Sequence, residues 1–117
     1  MKIYLAGGFN SDWQERVIKG APQHDYYNPK TDADQTAAYL WTTQEIEALK
    51  ESDLMVAFFE KDNPSGLGLA KEMGWATILK IPVIYIDEHD RLNEFLCACS
   101  KRIYAKLEPV IEYLRTL

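Results

Sequence analysis

The sequence predicts an α/β fold: a single three-layer domain with a parallel five-stranded sheet in the flavodoxin-like order 2-1-3-4-5. Short apolar runs alternate with helical patterns along the whole chain, and this alternation requires a parallel sheet covered by helices on both faces. The run Leu54–Phe59 is apolar throughout, as expected of a strand buried on both faces. A length of 117 residues is typical of one domain, which we expect to span residues 1–117.

The first strand and helix are predicted between residues 2 and 22. Lys2–Ala6 is apolar after its first residue and predicts a central strand. Gly7-Gly8-Phe9-Asn10 then turns the chain, and a double glycine at this point is typical of a tight turn, whether or not it faces a ligand. Ser11 and Gln14 have the spacing of a capping box, which would begin a helix that ends at Gly20-Ala21-Pro22.

The segment between residues 26 and 53 predicts an edge strand followed by helical pieces. Proline ends the strand Tyr26-Tyr27-Asn28-Pro29. The polar segment 30–35 predicts a loop over a pocket, and 37–41 predicts a short helical piece. Thr42-Thr43-Gln44-Glu45 is a second candidate capping box, opening a helix that ends at Asp53.

The second half of the chain repeats the alternation of strand and helix. Pro82 is tolerated at the first position of the fourth strand, and helical spacing of apolar residues marks the last helix. In order, we predict a strand over 54–59, a turn-rich loop over 60–66 and a helix to about Leu79. Strands over Pro82–Ile86 and Arg102–Tyr104 follow, with a helix from Asp90 to about Ala98 between them. The final helix contains Leu107, Val110, Ile111 and Leu114.

Composition excludes several classes of partner. A net charge of −5 argues against a nucleic-acid polymer or an anionic membrane, although helix ends and amides can still hold a small anion. No apolar run approaches the ~20 residues that span a bilayer.

Cys97 and Cys99 are too close for a mutual disulfide, and His24 and His89 are not at zinc-site spacing from them. We therefore expect reduced thiols, a cytoplasmic location, no metal and no cofactor.

A ligand crevice is predicted at the topological switch point, between the first and third strands. The predicted topology brings the turn at Gly7-Gly8 beside the segment from Ser65 to Glu72. Glu72 would lie near the second turn of the central helix, where the positive helix end favours an ionised carboxylate. If the Glu72 carboxylate faces the crevice, it would be the reactive group of this protein. The alternative is that Glu72 lies on a solvated helix face, as most helical glutamates do.

Five short segments between residues 2 and 86 form a set. They are Ile3–Phe9, Ser52–Leu54, Asn63–Gly66, Glu72–Ala76 and Pro82–Ile84. Together these segments resemble the nucleoside 2-deoxyribosyltransferase family, and more closely its small deoxyribosyltransferase-like branch. No single segment is specific alone. The resemblance implies the fold predicted above, a nucleoside or nucleotide substrate and a homodimer. Tyr39, Trp41 and Trp75 would then be either contact surface or core.

The resemblance also implies roles for individual residues. Glu72 would be the nucleophile and Tyr4 would orient it. Glu45, eight residues before Asp53, would contact the nucleobase, unless it only completes its capping box. Gly66 stands where the family has an aspartate, so Asp62 would replace that aspartate only if its loop folds back. The expected substrate-binding residues are Gly7, Gly8, Phe9, Asp53, Asp62, Asn63, Ser65 and Gly66, although Asp53 would equally serve to pair locally at the start of its strand.

The function implied is cleavage of the N-glycosidic bond of a (deoxy)nucleoside or nucleoside 5′-monophosphate, with the deoxyribosyl group passing to another base or to water. Ser65 and the amides after it would hold a 5′-phosphate. Two alternatives stay open: a catalytically silent nucleotide-binding or sensing module, and a flavin-binding or redox domain on the same fold.

Overall fold

The computed structural model, which describes residues 1–89 and 92–117, has a parallel sheet of five strands at its centre. The spatial order is β2-β1-β3-β4-β5, so the predicted fold class and strand order are confirmed. The strands are β1 (Lys2–Gly7), β2 (Asp25–Tyr27), β3 (Leu54–Phe59), β4 (Val83–Asp87) and β5 (Arg102–Tyr104).

Six helices connect or follow these strands in the described part of the chain. They are α1 (Trp13–Gly20), α2 (Pro29–Asp32), α3 (Ala38–Lys50), α4 (Leu67–Ile78), α5 (Glu94–Ala98) and α6 (Leu107–Arg115). No helix within 1–89 and 92–117 is long and apolar enough to cross a bilayer.

Three of the predictions for helices and loops were wrong in detail. The segments 37–41 and 42–53 form one continuous helix, so the predicted capping box at Thr42–Glu45 lies inside α3 and caps nothing. The predicted loop 30–35 begins with the short helix α2, because the Asn28 side chain accepts from the Lys30 N–H and Pro29 fits the first helical position. The helix predicted from Asp90 begins at Glu94, and Asp90 itself lies outside the described residues.

Side chains of β1 alternate between two cores, one on each face of the sheet. Ile3 and Leu5 pack with residues of α1 and α6. Tyr4 and Ala6 point to the other face, where α3, α4 and α5 contribute Leu49, Met73 and Leu96 among others. Because the side-chain period of a strand is two residues, this register places the Tyr4 ring beneath α3 and α4.

The turn after β1 leaves no room for a side chain at Gly7. A Cβ there would lie 2.7 Å from the Phe58 carbonyl oxygen and 2.9 Å from the Trp13 ring. The Trp13 indole Nε1 and the Gln14 amide Nε2 both donate to the Gly8 carbonyl at 3.0 Å. The turn is therefore held between β3 and α1.

The capping box predicted at Ser11 and Gln14 is wrong. The N-cap position of α1 is Asp12, and the Ser11 Oγ accepts from the Trp13 N–H at 3.3 Å. Gln14 does not reach back to the cap because its amide is used on the Gly8 carbonyl. Ser11 thus still binds an N–H of the first turn of α1, from the position before the N-cap, whereas Gln14 fixes the β1–α1 turn.

Candidate active site

A crevice of about 190 Å³ opens where the carboxyl ends of β1 and β3 meet the start of α4. Gly66 is the N-cap of α4 and has φ 64°, a left-handed conformation that glycine adopts without strain. The crevice lies at the switch point of the sheet, as predicted. Its lining residues are Gly7, Gly8, Asn63, Ser65, Gly66, Leu67, Gly68, Leu69 and Glu72.

Glu72 lies on the buried face of α4 and lines this crevice. Its neighbours on that face, Leu69 and Ala76, are three and four residues away, as helical spacing requires. The side chain is only 8 % exposed. One carboxyl oxygen, Oε2, is buried without a hydrogen-bond partner among the described residues. Glu72 is therefore not on a solvated helix face.

The Tyr4 hydroxyl lies close to two carboxyl groups. It donates to Oε2 of Glu45 at 3.3 Å, and its proximity to Glu72 favours the ionised form of that group as well. Burial, together with the negative charge of Glu72 and Glu45, raises the pKa of Tyr4 far above its ordinary value. Tyr4 is therefore a hydrogen-bond donor at any physiological pH and never a base.

Burial raises the pKa of Glu72 from its ordinary 4.5 to about 8. The Tyr4 hydroxyl and the Lys71 ammonium oppose the rise, while the charge of Glu45 adds to it. A helix end supplies about 0.3–1 kcal/mol toward ionisation. The rise in pKa corresponds to roughly 5 kcal/mol in the opposite direction. The helix end was expected to favour the ionised form of Glu72, but desolvation outweighs that contribution.

Glu45 reaches the same cluster from α3. It is buried one turn before Leu49, on the helix face that packs against the sheet. Burial raises the pKa of Glu45, against the effects of Lys71 and of the Tyr4 hydrogen bond. The question of whether Glu45 only completes a capping box is settled by its position in the middle of α3.

Tyr27 is a member of this cluster that the sequence analysis missed. Its ring stacks on Tyr4 with centroids 5.3 Å apart, and its hydroxyl is buried with no partner in the described part of the chain. Burial raises the pKa of Tyr27 to about 12, and the charges of Glu45, Asp32 and Glu72 add to the rise. The predicted strand order put β2 beside β1, and the register that sets Tyr27 beside Tyr4 comes from the structure.

Most of the predicted substrate-binding residues come together at the crevice. Gly7, Gly8, Asn63, Ser65 and Gly66 all line it. The Asn63 Oδ1 accepts from the Ser65 N–H at 3.3 Å and from the Gly66 N–H at 3.2 Å, which shapes the loop before α4. Phe9 and Asp62 are exposed and lie outside the lining.

Asp53 is not brought to the crevice. Its Oδ2 accepts from the Lys2 N–H at 2.8 Å, and its own N–H donates to the Lys2 carbonyl. Asp53 precedes the amino end of β3, whereas the crevice lies at the carboxyl end, about 20 Å away along a six-residue strand. Its placement in the substrate site was wrong, and the local-pairing alternative describes the structure.

Comparison with known proteins assigns the fold. No protein-family model matches the chain, and a search of curated proteins found no match. Among solved structures, a 2-deoxyribosyltransferase from the psychrotolerant bacterium Bacillus psychrosaccharolyticus matches with a TM-score of 0.78 at 22 % identity, covering 97 % of this chain and 92 % of that one. The chain has the fold of the 2-deoxyribosyltransferases. The resemblance found in the sequence is confirmed at the level of the fold.

Two further structures share this 2-deoxyribosyltransferase fold. A 2-deoxyribosyltransferase from Leishmania mexicana has a TM-score of 0.73 at 16 % identity and covers 98 % of this chain and 97 % of its own. A CMP N-glycosidase from Clostridium botulinum has a TM-score of 0.69 at 21 % identity and covers both chains completely. Two kinds of enzyme, a transferase and a glycosidase, are thus built on the architecture of this chain.

The cysteines and histidines take no part in the crevice lining. Cys97, in α5, and Cys99, at its C-cap, are free thiols and half-buried. Within residues 1–89 and 92–117, no three His, Cys, Asp or Glu side chains are grouped so that they could hold a metal ion. The polar groups of the residues that line the crevice are carboxyl, hydroxyl and amide groups.

Proposed function

We propose that this chain cleaves the N-glycosidic bond of a (deoxy)nucleoside or nucleoside 5′-monophosphate, with Glu72 as the nucleophile. The observation that carries the proposal is the Glu72 carboxyl group, which is buried in the switch-point crevice and has an oxygen without a partner in the described residues. The likeness to two 2-deoxyribosyltransferases and a CMP N-glycosidase supports the same reaction class.

In the first step the ionised form of Glu72 reacts, which its raised pKa makes the minor form at neutral pH. One of its oxygens forms a bond to the anomeric carbon of the sugar as the bond to the base breaks. The electron pair of the broken bond stays on the base nitrogen. The transition state resembles an oxocarbenium ion, which a carboxylate beneath the anomeric carbon stabilises. Tyr4 holds the carboxyl groups in place, because its hydroxyl stays protonated and donates.

The leaving base needs a proton, and Glu45 supplies it in this proposal. Burial raises the pKa of Glu45, which favours the protonated form that a general acid requires. In the second step a water molecule or a second base attacks the anomeric carbon, and Glu72 leaves as a carboxylate. The attacking group returns its proton to Glu45, so both carboxyl groups end the cycle as they began.

Release of free base from a panel of substrates tests the proposal. The purified protein is incubated with deoxynucleosides, ribonucleosides and their monophosphates, with and without an acceptor base, and the products are separated by chromatography. We expect released base, with transfer to the acceptor marking a transferase and release in its absence marking a hydrolase. Thermal stabilisation by a nucleotide without any released base would indicate a silent binding module instead.

A 5′-phosphate fits the start of α4. Ser65 is exposed at the crevice, its Oγ accepts from the Leu67 N–H at 3.5 Å, and the amides of Gly68 and Leu69 follow in the first turn. Helix N-termini bind phosphate through such amides. The substrate would then be a nucleotide, the class on which the similar CMP N-glycosidase is named to act.

Ser65→Ala is expected to lower kcat/KM for the monophosphate by about 10-fold, the value of one hydrogen bond to a charged group, and to leave the nucleoside unaffected. Steady-state kinetics on the matched pair of substrates measures both. Ser52→Ala is the control, since the Ser52 hydroxyl bonds the Ala48 carbonyl at the opposite edge of the sheet. An equal loss on both substrates would show that Ser65 does not bind the phosphate.

We also propose that the chain forms a homodimer, as the family resemblance implies. Ile46, Trp75, Ile78 and Leu79 line an apolar groove of about 140 Å³ between α3 and α4. Ile78 of this groove is 80 % exposed and Tyr39 of α3 is 76 % exposed, and exposed large apolar side chains support an interface here. Trp75 packs partly on the core, and Tyr39 does not.

Ile78→Asp is expected to convert the dimer to a monomer, because a charge at the centre of an apolar interface would be buried unpaired. Sedimentation velocity of both proteins at equal concentration measures the mass. A wild-type protein that sediments as a monomer would contradict the proposed dimer.

A further inference from the structure

One buried hydroxyl group lies beside both of the carboxyl groups that the proposed reaction uses. Tyr4 is completely buried between the sheet and the helices α3 and α4, where Glu45 and Glu72 are 6 % and 8 % exposed. The Tyr4 hydroxyl donates to Oε2 of Glu45 at 3.3 Å, and its hydrogen bonding also acts on the carboxyl group of Glu72. A phenol oxygen both donates and accepts, so Tyr4 is able to connect the two groups.

The proposed reaction needs the two carboxyl groups in opposite forms. Glu72 must be ionised to attack the sugar, and Glu45 must be protonated to protonate the base. Burial raises the pKa of both groups, and Glu72, with a pKa of about 8, holds its proton at neutral pH. The charge of Glu45 adds to that rise, so the two groups titrate as a pair that loses its last proton near pH 8. The resting protein therefore carries on Glu72 the proton that Glu45 has to deliver.

The other charged and titratable groups around the pair come from three elements. Lys71 of α4 lowers the pKa of both carboxyl groups. Tyr27 of β2 faces the pair with a hydroxyl group whose pKa is about 12, and the charge of Asp32 in α2 adds to that value. The side chains that β3 turns to this face are the apolar Met55 and Ala57. Tyr27 thus keeps its proton over the range in which the pair loses its own.

We propose that Tyr4 passes one proton from Glu72 to Glu45 before the sugar is attacked, so that nucleophile and acid exchange their protonation states inside the protein. Glu72 gives its proton to the Tyr4 oxygen while the Tyr4 hydroxyl gives its own proton to Glu45. Tyr4 already donates to Glu45, which is the direction that the transfer requires. It keeps one proton throughout, and the charge of the pair does not change. The inference rests on the proposed function, which gives Glu72 and Glu45 their roles, and Tyr4 acts only through them.

A shared proton gives the reaction a distinctive pH dependence. The pair works while it holds one proton, so kcat/KM for a deoxynucleoside is expected to be constant near neutral pH. It should then fall about 10-fold by pH 9, one unit above the pKa of about 8. If Glu72 instead lost its proton to solvent before each reaction, kcat/KM would rise through the same pH. The substrate is a deoxynucleoside whose own groups do not titrate between pH 6 and pH 9.

Two variants interrupt the transfer at different points. Glu45→Gln has no group to receive the proton, so Glu72 has to lose it to solvent, and kcat/KM is expected to rise with pH where that of the wild type falls. Tyr4→Phe keeps the ring that stacks on Tyr27 but has no hydroxyl group. It is expected to lower the neutral plateau on the order of 100-fold, the low end of what general acid catalysis contributes. Its solvent deuterium isotope effect should increase, because the proton then has to cross through water.

The matched controls are Glu47→Gln, exposed on α3, and Tyr26→Phe, whose hydroxyl bonds the Ala21 carbonyl on the other face of the sheet. Both should keep the wild-type profile, and thermal unfolding shows whether each variant is folded. The wild-type profile alone decides the matter if Tyr4→Phe or Glu45→Gln does not fold.

Three results would overturn the transfer and leave Glu72 as the nucleophile. They are a wild-type kcat/KM that rises through pH 8, a Glu45→Gln profile that falls as the wild type's does, and a Tyr4→Phe variant with an unchanged rate or an unchanged isotope effect. An orienting role of Tyr4 alone gives the last of these, a lower rate with the same isotope effect. A folded wild type that releases no base at any pH would overturn the proposed function and the transfer with it.

Discussion

Glu72→Gln is expected to lower kcat for base release by on the order of 10⁴-fold or more, the scale on which loss of a covalent nucleophile acts. The amide matches the shape of the carboxyl group and so keeps the packing around Met73 and Leu69, but it cannot bond the anomeric carbon. Initial rates of base release by the variant and the wild type, measured with saturating substrate, give the ratio directly.

The matched control for this loss is Glu112→Gln. Glu112 is exposed on α6, whose buried residues pack on the opposite face of the sheet from Glu72. The control should retain the wild-type rate. A Glu72→Gln variant that releases base within a few-fold of that rate would rule out Glu72 as the nucleophile.

The same substitution is expected to make the protein more stable at alkaline pH. The pKa of Glu72 is about 8 in the folded chain and near 4.5 in the unfolded one, so folding favours the protonated carboxyl group. Its contribution to stability is therefore complete below pH 4.5 and is lost as the pH rises through 8. A glutamine has no proton to lose, so its contribution does not change with pH.

Denaturant unfolding at pH 5 and pH 9 measures this effect. We expect the two proteins to have similar free energies of unfolding at pH 5, and Glu72→Gln to be more stable at pH 9 by up to roughly 5 kcal/mol. The slope of stability against pH between 5 and 8 should be less negative in the variant. Parallel pH profiles for the two proteins would contradict the raised pKa.

Together the two results would describe a site that costs stability in order to function. The wild type keeps at position 72 a buried acid that the fold disfavours in its charged form. Substitutions that relieve such a group commonly stabilise a protein at the expense of activity. If Glu72 had a purely structural role, its replacement would instead lower the stability of the protein.

The strand order and the location of the crevice could be predicted because they depend on patterns that the whole chain repeats. Alternating strands and helices fix the parallel sheet, and the switch point then follows. Helical spacing placed Glu72 near Leu69 and Ala76 on the helix. Spacing alone did not decide whether the Glu72 side chain faced the crevice or solvent. That choice depends on how α4 packs, which only the structure provides.

The failures came from local patterns that tertiary packing overrode. Gln14 and Thr42 fit capping boxes by spacing, yet one is used on the Gly8 carbonyl and the other lies inside α3. Tyr27 was missed as a member of the cluster because what singles it out is a hydroxyl group that is buried without a partner among the described residues. The error in placing Asp53 at the substrate site was avoidable, because a residue that precedes a parallel strand lies at the edge of the sheet opposite the ligand crevice.

The most direct test of the central claim is peptide mapping by mass spectrometry after rapid acid quench of the reaction with a 2′-deoxynucleoside. A nucleophilic Glu72 predicts that the peptide containing it gains the mass of the deoxyribosyl group, and that no such peptide forms in Glu72→Gln. The sugar on a different residue, or base released with no adduct at any quench time, would contradict the account.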